Sequence, residues 1–284
     1  MTSTSNKKPS IGFVLGKSGA YAVLIVGLIG TLLPFFYIIV SSLKTTAELR
    51  QTPPDFFPKQ PTFEHYTTIL TDEQIPIVQN LGNSIFVSVM RVVITLFTSS
   101  YAGYIFAKYH FKGKNLAFGV IFIQIMIPFQ VVMIPNYLLV VKLGLIDSLW
   151  ALIIPAFIDA YGIFMMKQFI EALPSELMDA ARIDGATEFG IYSRIVLPQM
   201  GPPLASLGIF TFMSTWNDYL WPLIVLTSPE KRTIPLLVVW FQTAHVSNQG
   251  LILAASILTL IPIFIVYIFL QRWIVDQATS SAFK

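Results

Sequence analysis

The 284-residue sequence contains no cysteine, which excludes disulfides, zinc–thiolate sites and a cysteine nucleophile. Charge is scarce too: 12% of residues are Asp, Glu, Lys or Arg, about half of what an ordinary soluble domain carries. The histidines are His65, His110 and His245. All three fall in segments that read as loops, without metal-ligand spacing, so they read as ordinary surface residues and no metal site is expected. Internal repeats, low-complexity tracts and a second, soluble domain are also missing. What fills the chain instead is apolar, at 55% of residues. Such a chain stays folded only where lipid covers much of its surface. Its net charge of +3 is too small to suggest nucleic acid. It suits a membrane protein whose lysines and arginines gather on the cytoplasmic side.

Nearly uncharged stretches recur at about 20–43, 84–107, 116–137, 148–169, 203–226 and 251–274. Each approaches the roughly 20 residues that a helix needs to cross a bilayer. The runs do not alternate polar and apolar residues as strands of a transmembrane barrel do. The expectation is therefore an all-α integral membrane fold with about six transmembrane helices. The first run, preceded by Lys7, Lys8 and Lys17, exceeds the roughly 7–15 residues of a signal-peptide core and reads as a retained helix. An even number of spans puts both termini on one side. Lys108, Lys112, Lys114, Lys167, Arg182 and Arg194, together with the terminal basic residues, outweigh Lys44, Arg50, Lys59, Lys142, Lys231 and Arg232. That bias makes 1–19 and 275–284 cytoplasmic tails. The proline-rich loop after the first span, with Pro53, Pro54, Pro58 and Pro61, then lies outside.

The linker 171–199 is too polar to cross the membrane. It reads as two short helices around a turn. Ser175 is placed to cap the first, with Glu176 near its positive end. Asp184-Gly185 reads as the stop, because glycine accepts the left-handed conformation that often ends helices. Thr187 and Glu188 read as the start of the second helix and Pro198 as its end. Ala180, Ala181 and Ala186 leave a low surface that another backbone can approach. An L-shaped knuckle of this kind suits a groove on a soluble partner.

Within that linker, Asp179-Ala-Ala-x-x-Asp-Gly-Ala-x5-Tyr-x-x-Ile-x-Leu-Pro198 resembles the EAA loop of ATP-binding-cassette importer permeases. Asp179 stands where that family usually has Glu, and Tyr192 where it has Phe. Phe210-Thr-Phe-Met-Ser-Thr-Trp-Asn-Asp-Tyr-Leu-Trp-Pro222 is similar to the fifth span of the maltose-type carbohydrate-importer permeases. Asn83-Ser84 and Lys142-Leu-Gly-Leu-Ile-Asp147 look like the same subfamily. The resemblance implies that Glu176, Asp179, Ala180, Ala181, Arg182, Asp184, Gly185, Ala186, Tyr192, Leu197 and Pro198 form the element that couples to the ATPase. It further implies a non-enzymatic permease subunit of the bacterial inner membrane, forming half of a pathway with a second, homologous permease. An ATPase subunit dimer would bind ATP and Mg, so this chain needs no cofactor of its own. An extracytoplasmic sugar-binding protein would deliver a di- or oligosaccharide, with glycerol-phosphate derivatives or polyols as the alternative cargo.

Trp216, Asn217, Asp218 and Trp221 pair aromatic faces with amide and carboxylate groups, as a sugar pathway needs. An aspartate at mid-bilayer costs roughly 2.5–3.5 kcal/mol, so it faces protein or water. The alternative for this cluster is an interfacial aromatic belt. Arg91 and Asp159, inside the second and fourth runs, read as a structural pair. Gln124, Gln130 and Asn136 are further candidates for a cavity lining. Pro128, Pro135 and Pro155 are candidates for kinks. Gly12-Phe-Val-Leu-Gly-Lys-Ser18 misses the phosphate-loop spacing by one residue and follows no strand. An ion-coupled secondary transporter usually shows inverted repeats, and a membrane enzyme needs clustered His, Asp or Glu. Neither pattern is present.

Overall fold

The computed structural model describes residues 11–72, 75–244 and 248–282. Helices α1 (Ile11–Ser42), α2 (Thr46–Leu49), α3 (Glu64–Thr71), α4 (Ile77–Lys108) and α5 (Lys114–Met126) come first. They are followed by α6 (Phe129–Lys142), α7 (Trp150–Ile153), α8 (Ala160–Glu171), α9 (Glu176–Ile183) and α10 (Glu188–Ile191). The series ends with α11 (Leu197–Gln199), α12 (Gly201–Trp216), α13 (Leu220–Val225), α14 (Ile234–Ala244) and α15 (Gln249–Ala282). No strand occurs among the described residues, and the fold is all-α, as the composition requires.

Three stretches are each long and apolar enough to cross a membrane: Gly19–Ser42, Ile77–Lys108 and Gln249–Ile268. Three further stretches reach that length and apolarity only as bent pairs of helices taken together. α5 and α6 meet at 107°, Trp150–Ala156 and α8 at 46°, and Glu188–Gln199 and α12 at 83°. Proline explains the first bend. Ile127 is extended (φ −90°, ψ 116°), as a residue before proline is pushed to be, and Pro128 then opens α6. Pro155 sits in a 3-10 turn, Ile154–Ala156, and Asp159 restarts the helix by accepting a hydrogen bond from the Gly162 amide at 3.1 Å. The run expected over 203–226 also breaks, after Trp216, and α4 begins about two turns earlier than 84.

The chain forms two compact units, Met1–Ile69 with His245–Ile257, and Leu70–Ala244 with Leu258–Lys284. In the first, the apolar side chains of Gly19–Ser42 stand mostly exposed. Thr45 and Glu48 form a capping box on α2, and a Glu48 oxygen also accepts from the Lys59 and Gln60 amides at 2.7 and 3.1 Å. His65 corrects the surface reading of the histidines. It is buried in α3, with its Nε2 at 2.9 Å from the Lys44 carbonyl oxygen, because Gly250 leaves room for the ring that any side chain there would collide with. His110 lies in a loop as expected, and His245 lies outside the described residues.

In the second unit α8 and α12 pack along α4. A Cβ at Gly103 would approach Met166 Cβ at 2.8 Å and the Lys167 amide at 2.9 Å, and one at Gly162 would run into the Ser99 hydroxyl. Small residues therefore set the α4–α8 distance, as at helix contacts in lipid. Gly162→Leu is expected to cost about 1–3 kcal/mol by overpacking and to lower the melting midpoint of the detergent-solubilised protein. Gly119→Leu, whose Cβ meets nothing within 4 Å, serves as the control; equal midpoints for the two would refute the close-packing account.

Candidate functional site

The linker after α8 is an ordered knuckle. Its first helix, α9, ends in a Schellman motif: the Gly185 amide donates to the Arg182 carbonyl at 3.0 Å and the Ala186 amide to the Ala181 carbonyl at 2.9 Å. Gly185 has φ +80°, the left-handed conformation this motif requires. Thr187 then caps α10, its hydroxyl oxygen accepting from the Gly190 amide at 3.2 Å. Two local readings change. Ser175 makes no side-chain cap, because its backbone is already helical (φ −70°, ψ −24°) rather than extended. Pro198 does not end the second helix. A π-helical turn, Tyr192–Val196, leads into α11 with proline at its first turn, and the chain bends only at Met200. A proline ring crowds the carbonyl one turn earlier, and the wider turn relieves that crowding.

The motif residues divide between two faces. Met178, Ile191, Tyr192 and Val196 are buried in one cluster with Tyr104, Met166, Ile170 and Leu207, and Ala181 and Leu197 pack against it. The Tyr192 hydroxyl lies 2.7 Å from Ser100 Oγ on α4. Glu176, Asp179, Ala180, Arg182, Asp184, Gly185, Ala186 and Pro198 face outward. So do three apolar side chains: Leu177 (47% exposed), Ile183 (87%) and Phe189 (55%). The alanine surface expected from the sequence is therefore Ala180 and Ala186 alone.

Glu188 holds the knuckle together, a role its position in the sequence does not reveal beyond the acidic first turn of a helix. One of its oxygens accepts from Arg182 Nε at 2.9 Å, and the other accepts from the Tyr104 hydroxyl at 3.0 Å and from the Tyr109 hydroxyl. Arg182 also donates to Asp179 at 2.7 Å and stands over the Tyr109 ring, 5.8 Å from its centroid. The Arg182 and tyrosine hydrogen bonds hold the Glu188 carboxyl down at about 2, and Glu188 in turn raises the Arg182 guanidinium.

The second feature is a cavity of about 550 Å³ within the same unit. Arg91 and Thr95 of α4 line it, with Gln124, Phe129 and Asn136 of the bent α5–α6 pair. Asp159 and Tyr161 at the start of α8, Ser214 of α12, Asn217 and Asp218 of the break that follows it and Trp221 of α13 complete its polar and aromatic lining. The helix breaks thus place helix-end polar groups inside an apolar span. Asp218 accepts from the Trp221 amide at 3.4 Å, and the indole of Trp221 donates to the Ala151 carbonyl at 3.0 Å with Phe129 edge-on at 5.7 Å.

Three of the four residues grouped from the sequence meet here. Trp216 does not line the cavity: it is buried, stacked on Phe212 at 5.5 Å, and donates to the Thr259 carbonyl at 3.3 Å. Arg91 and Asp159 share the lining without forming an ion pair within 4 Å among the described residues. Gln130 is not part of the lining. Thr95, Tyr161 and Ser214 are additions. A signal for the first was present, since Ser84, Ser88, Arg91, Thr95 and Ser99 recur every three or four residues and mark a polar stripe down α4. Ser84, Ser88 and Arg91 of that stripe also border a small enclosed space with Thr215, Asp218 and Thr233.

Beyond that space the loop 227–233 is braced from two sides. Asp147, itself at φ +58°, accepts from the Thr227 and Ser228 amides at 2.9 Å each and pairs with Lys231 at 3.2 Å. Burial opposes its ionisation, but the hydrogen bonds from Ser228 and Thr227 and the Lys231 ammonium hold the carboxyl well below the usual range. Opposite, Asn83 donates to the Glu230 and Arg232 carbonyls at 2.8 and 3.1 Å, and Ser84 Oγ accepts from the Ile234 amide at 2.7 Å.

An apolar helical chain whose bent helix pairs surround a polar cavity, with an amphipathic knuckle anchored to the helix lining it, is a membrane-transport subunit. The family model for the binding-protein-dependent transport system inner membrane component matches residues 99–279, and the chain belongs to that family. Its relatives include the arabinooligosaccharides transport system permease protein AraQ of Halalkalibacterium halodurans, 38% identical, with 88% of this chain and 90% of the relative aligned. The protein of the same name from Bacillus subtilis is 35% identical over 89% and 90% of the two chains. Among solved structures, a chain of a bacterial ABC transporter involved in the import of the acidic polysaccharide alginate superposes with a TM-score of 0.80. It is 25% identical, and 94% of this chain and 99% of that one are covered.

Proposed function

We propose that this permease carries an oligosaccharide inward as one half of an ATP-driven pathway, and that the knuckle is its coupling element. The observation that carries the transport reading is the cavity: carboxylates (Asp159, Asp218), amides (Gln124, Asn136, Asn217) and aromatic rings (Tyr161, Trp221) meet in one space within the spans. Hydroxyl-rich, uncharged rings need this mixture of acceptors, donors and flat apolar faces. The relatives named for arabinooligosaccharide transport favour that substrate class over polyols or glycerol-phosphate derivatives.

A second, homologous permease would complete the pathway, and an extracytoplasmic sugar-binding protein would deliver the cargo. Both termini and the knuckle face the cytoplasm in this arrangement, as the distribution of lysine and arginine favours. An ATPase dimer, holding the ATP and Mg, would receive the outward face of the knuckle. Leu177, Ile183 and Phe189 support that assignment, since apolar side chains exposed on a polar loop mark a protein contact. The test is uptake by proteoliposomes holding the complete complex and its binding protein, with labelled arabinooligosaccharide, glycerol phosphodiester and polyol offered in turn. ATP-dependent accumulation of the oligosaccharide alone is expected; accumulation of a polyol alone would overturn the substrate assignment.

A further inference from the structure

We infer that Glu188 is the positioning residue through which the knuckle grips α4, so that motion of the knuckle is passed to the cavity-lining helix in fixed register. The inference rests on the coupling reading above and adds the route by which coupling reaches the pathway.

The knuckle meets α4 in two ways. Buried apolar packing around Tyr192 holds the surfaces together, but apolar contact is non-directional and permits sliding. Hydrogen bonds fix a register. Ser100 and Tyr104 lie one turn apart on α4, and Tyr109 caps its end. Ser100 meets the Tyr192 hydroxyl, and Tyr104 and Tyr109 both donate to Glu188. Bonds to a carboxylate are the stronger kind. Arg182 closes the arrangement from the other side, joining α9 to α10 through the same carboxylate. One residue therefore fastens both helices of the knuckle to each other and to α4. From Tyr104 the continuous helix α4 runs thirteen residues back to Arg91, roughly 20 Å at 1.5 Å per residue.

The alternative is that the network only stiffens the knuckle. The test separates the two in the full complex in liposomes, comparing wild type, Glu188→Ala, Glu188→Gln and the double variant Tyr104→Phe/Tyr109→Phe. The tyrosine pair keeps both rings and their packing, so it remains informative if Glu188→Ala fails to assemble. Two quantities are read: substrate transported per ATP hydrolysed, and the distance distribution on turnover between spin labels at Val93 and at Arg194, an exposed knuckle position outside the face assigned to the ATPase.

Transport per ATP is expected to fall roughly tenfold in Glu188→Ala and in the tyrosine pair, the scale of losing charge-assisted bonds. Glu188→Gln, which keeps an acceptor oxygen, should fall less. The label distance should broaden in the same order. A lower melting midpoint with transport per ATP unchanged would reduce the network to a structural brace and overturn the inference. Gly185→Asp, included alongside, distinguishes the failures. If it abolishes coupling while the Glu188 and tyrosine variants do not, the knuckle couples by another route and only this inference falls. If none of them has an effect, the coupling reading falls with it.

Discussion

Gly185→Asp is expected to abolish substrate-stimulated ATP hydrolysis, by tenfold or more, in a complex that still assembles. Within this chain a Cβ at Gly185 would meet nothing within 4 Å, so the substitution creates no clash of its own. The cost is conformational: a residue other than glycine at φ +80° pays about 1–2 kcal/mol, and Asp and Asn tolerate that region best. Gly185→Asn should therefore fold as well as Gly185→Asp, and Gly185→Ala worse than either. A large loss of stimulation beyond these differences reports on the partner surface that approaches the exposed turn. Stimulation unchanged in an assembled Gly185→Asp complex would mean that ATPase coupling does not pass through this turn.

Arg91→Met is expected to stop uptake almost completely and to destabilise the protein by about 1–3 kcal/mol, the usual cost of leaving buried polar groups without their compensation. The cavity contains one guanidinium and two carboxylates from Asp159 and Asp218. Removing Arg91 leaves the two carboxyl groups of the lining without the guanidinium that faces them, and a polar group inside the spans is costly when left without a partner. Arg91→Met with Asp218→Asn returns the lining to its original net charge. The double variant should regain most of the melting midpoint while uptake stays low, because stability depends on the charge balance and transport on the groups themselves. Thermal unfolding of the four proteins gives a double-mutant cycle, and a coupling above about 0.5 kcal/mol is expected. Strict additivity would show that Arg91 and Asp218 do not sense each other across the cavity.

The knuckle was largely legible in the sequence because its determinants are local. Asp184-Gly185 stops α9 and Thr187 starts α10 through bonds that span a few residues. Ser175 suits a cap by residue type, but its backbone is already helical. Pro198 has the residue type of a stop, but a π-helical turn before it accommodates the ring. The four-residue group around the fifth run split for a different reason. Trp216 and Trp221 are alike in sequence, but a helix break lies between them and turns one into the packing and the other toward the cavity.

By itself, then, the sequence determined that the chain is helical and lives in lipid, where its uncharged runs lie, and that a polar two-helix loop separates two of them. These follow from transfer free energies and short-range backbone bonding, which act over one or a few turns. The tertiary structure alone decided which polar residues share a space. It brought Arg91, Asp159 and Asp218 to one cavity from three separate helical segments, and set Glu188 against two tyrosines about eighty positions away in the chain. It also buried His65 beneath Gly250. Such contacts depend on where helices bend and how closely small residues let them approach; Pro128 and Pro155 mark two of the bends in the sequence, but no local pattern records which side chains those bends bring together.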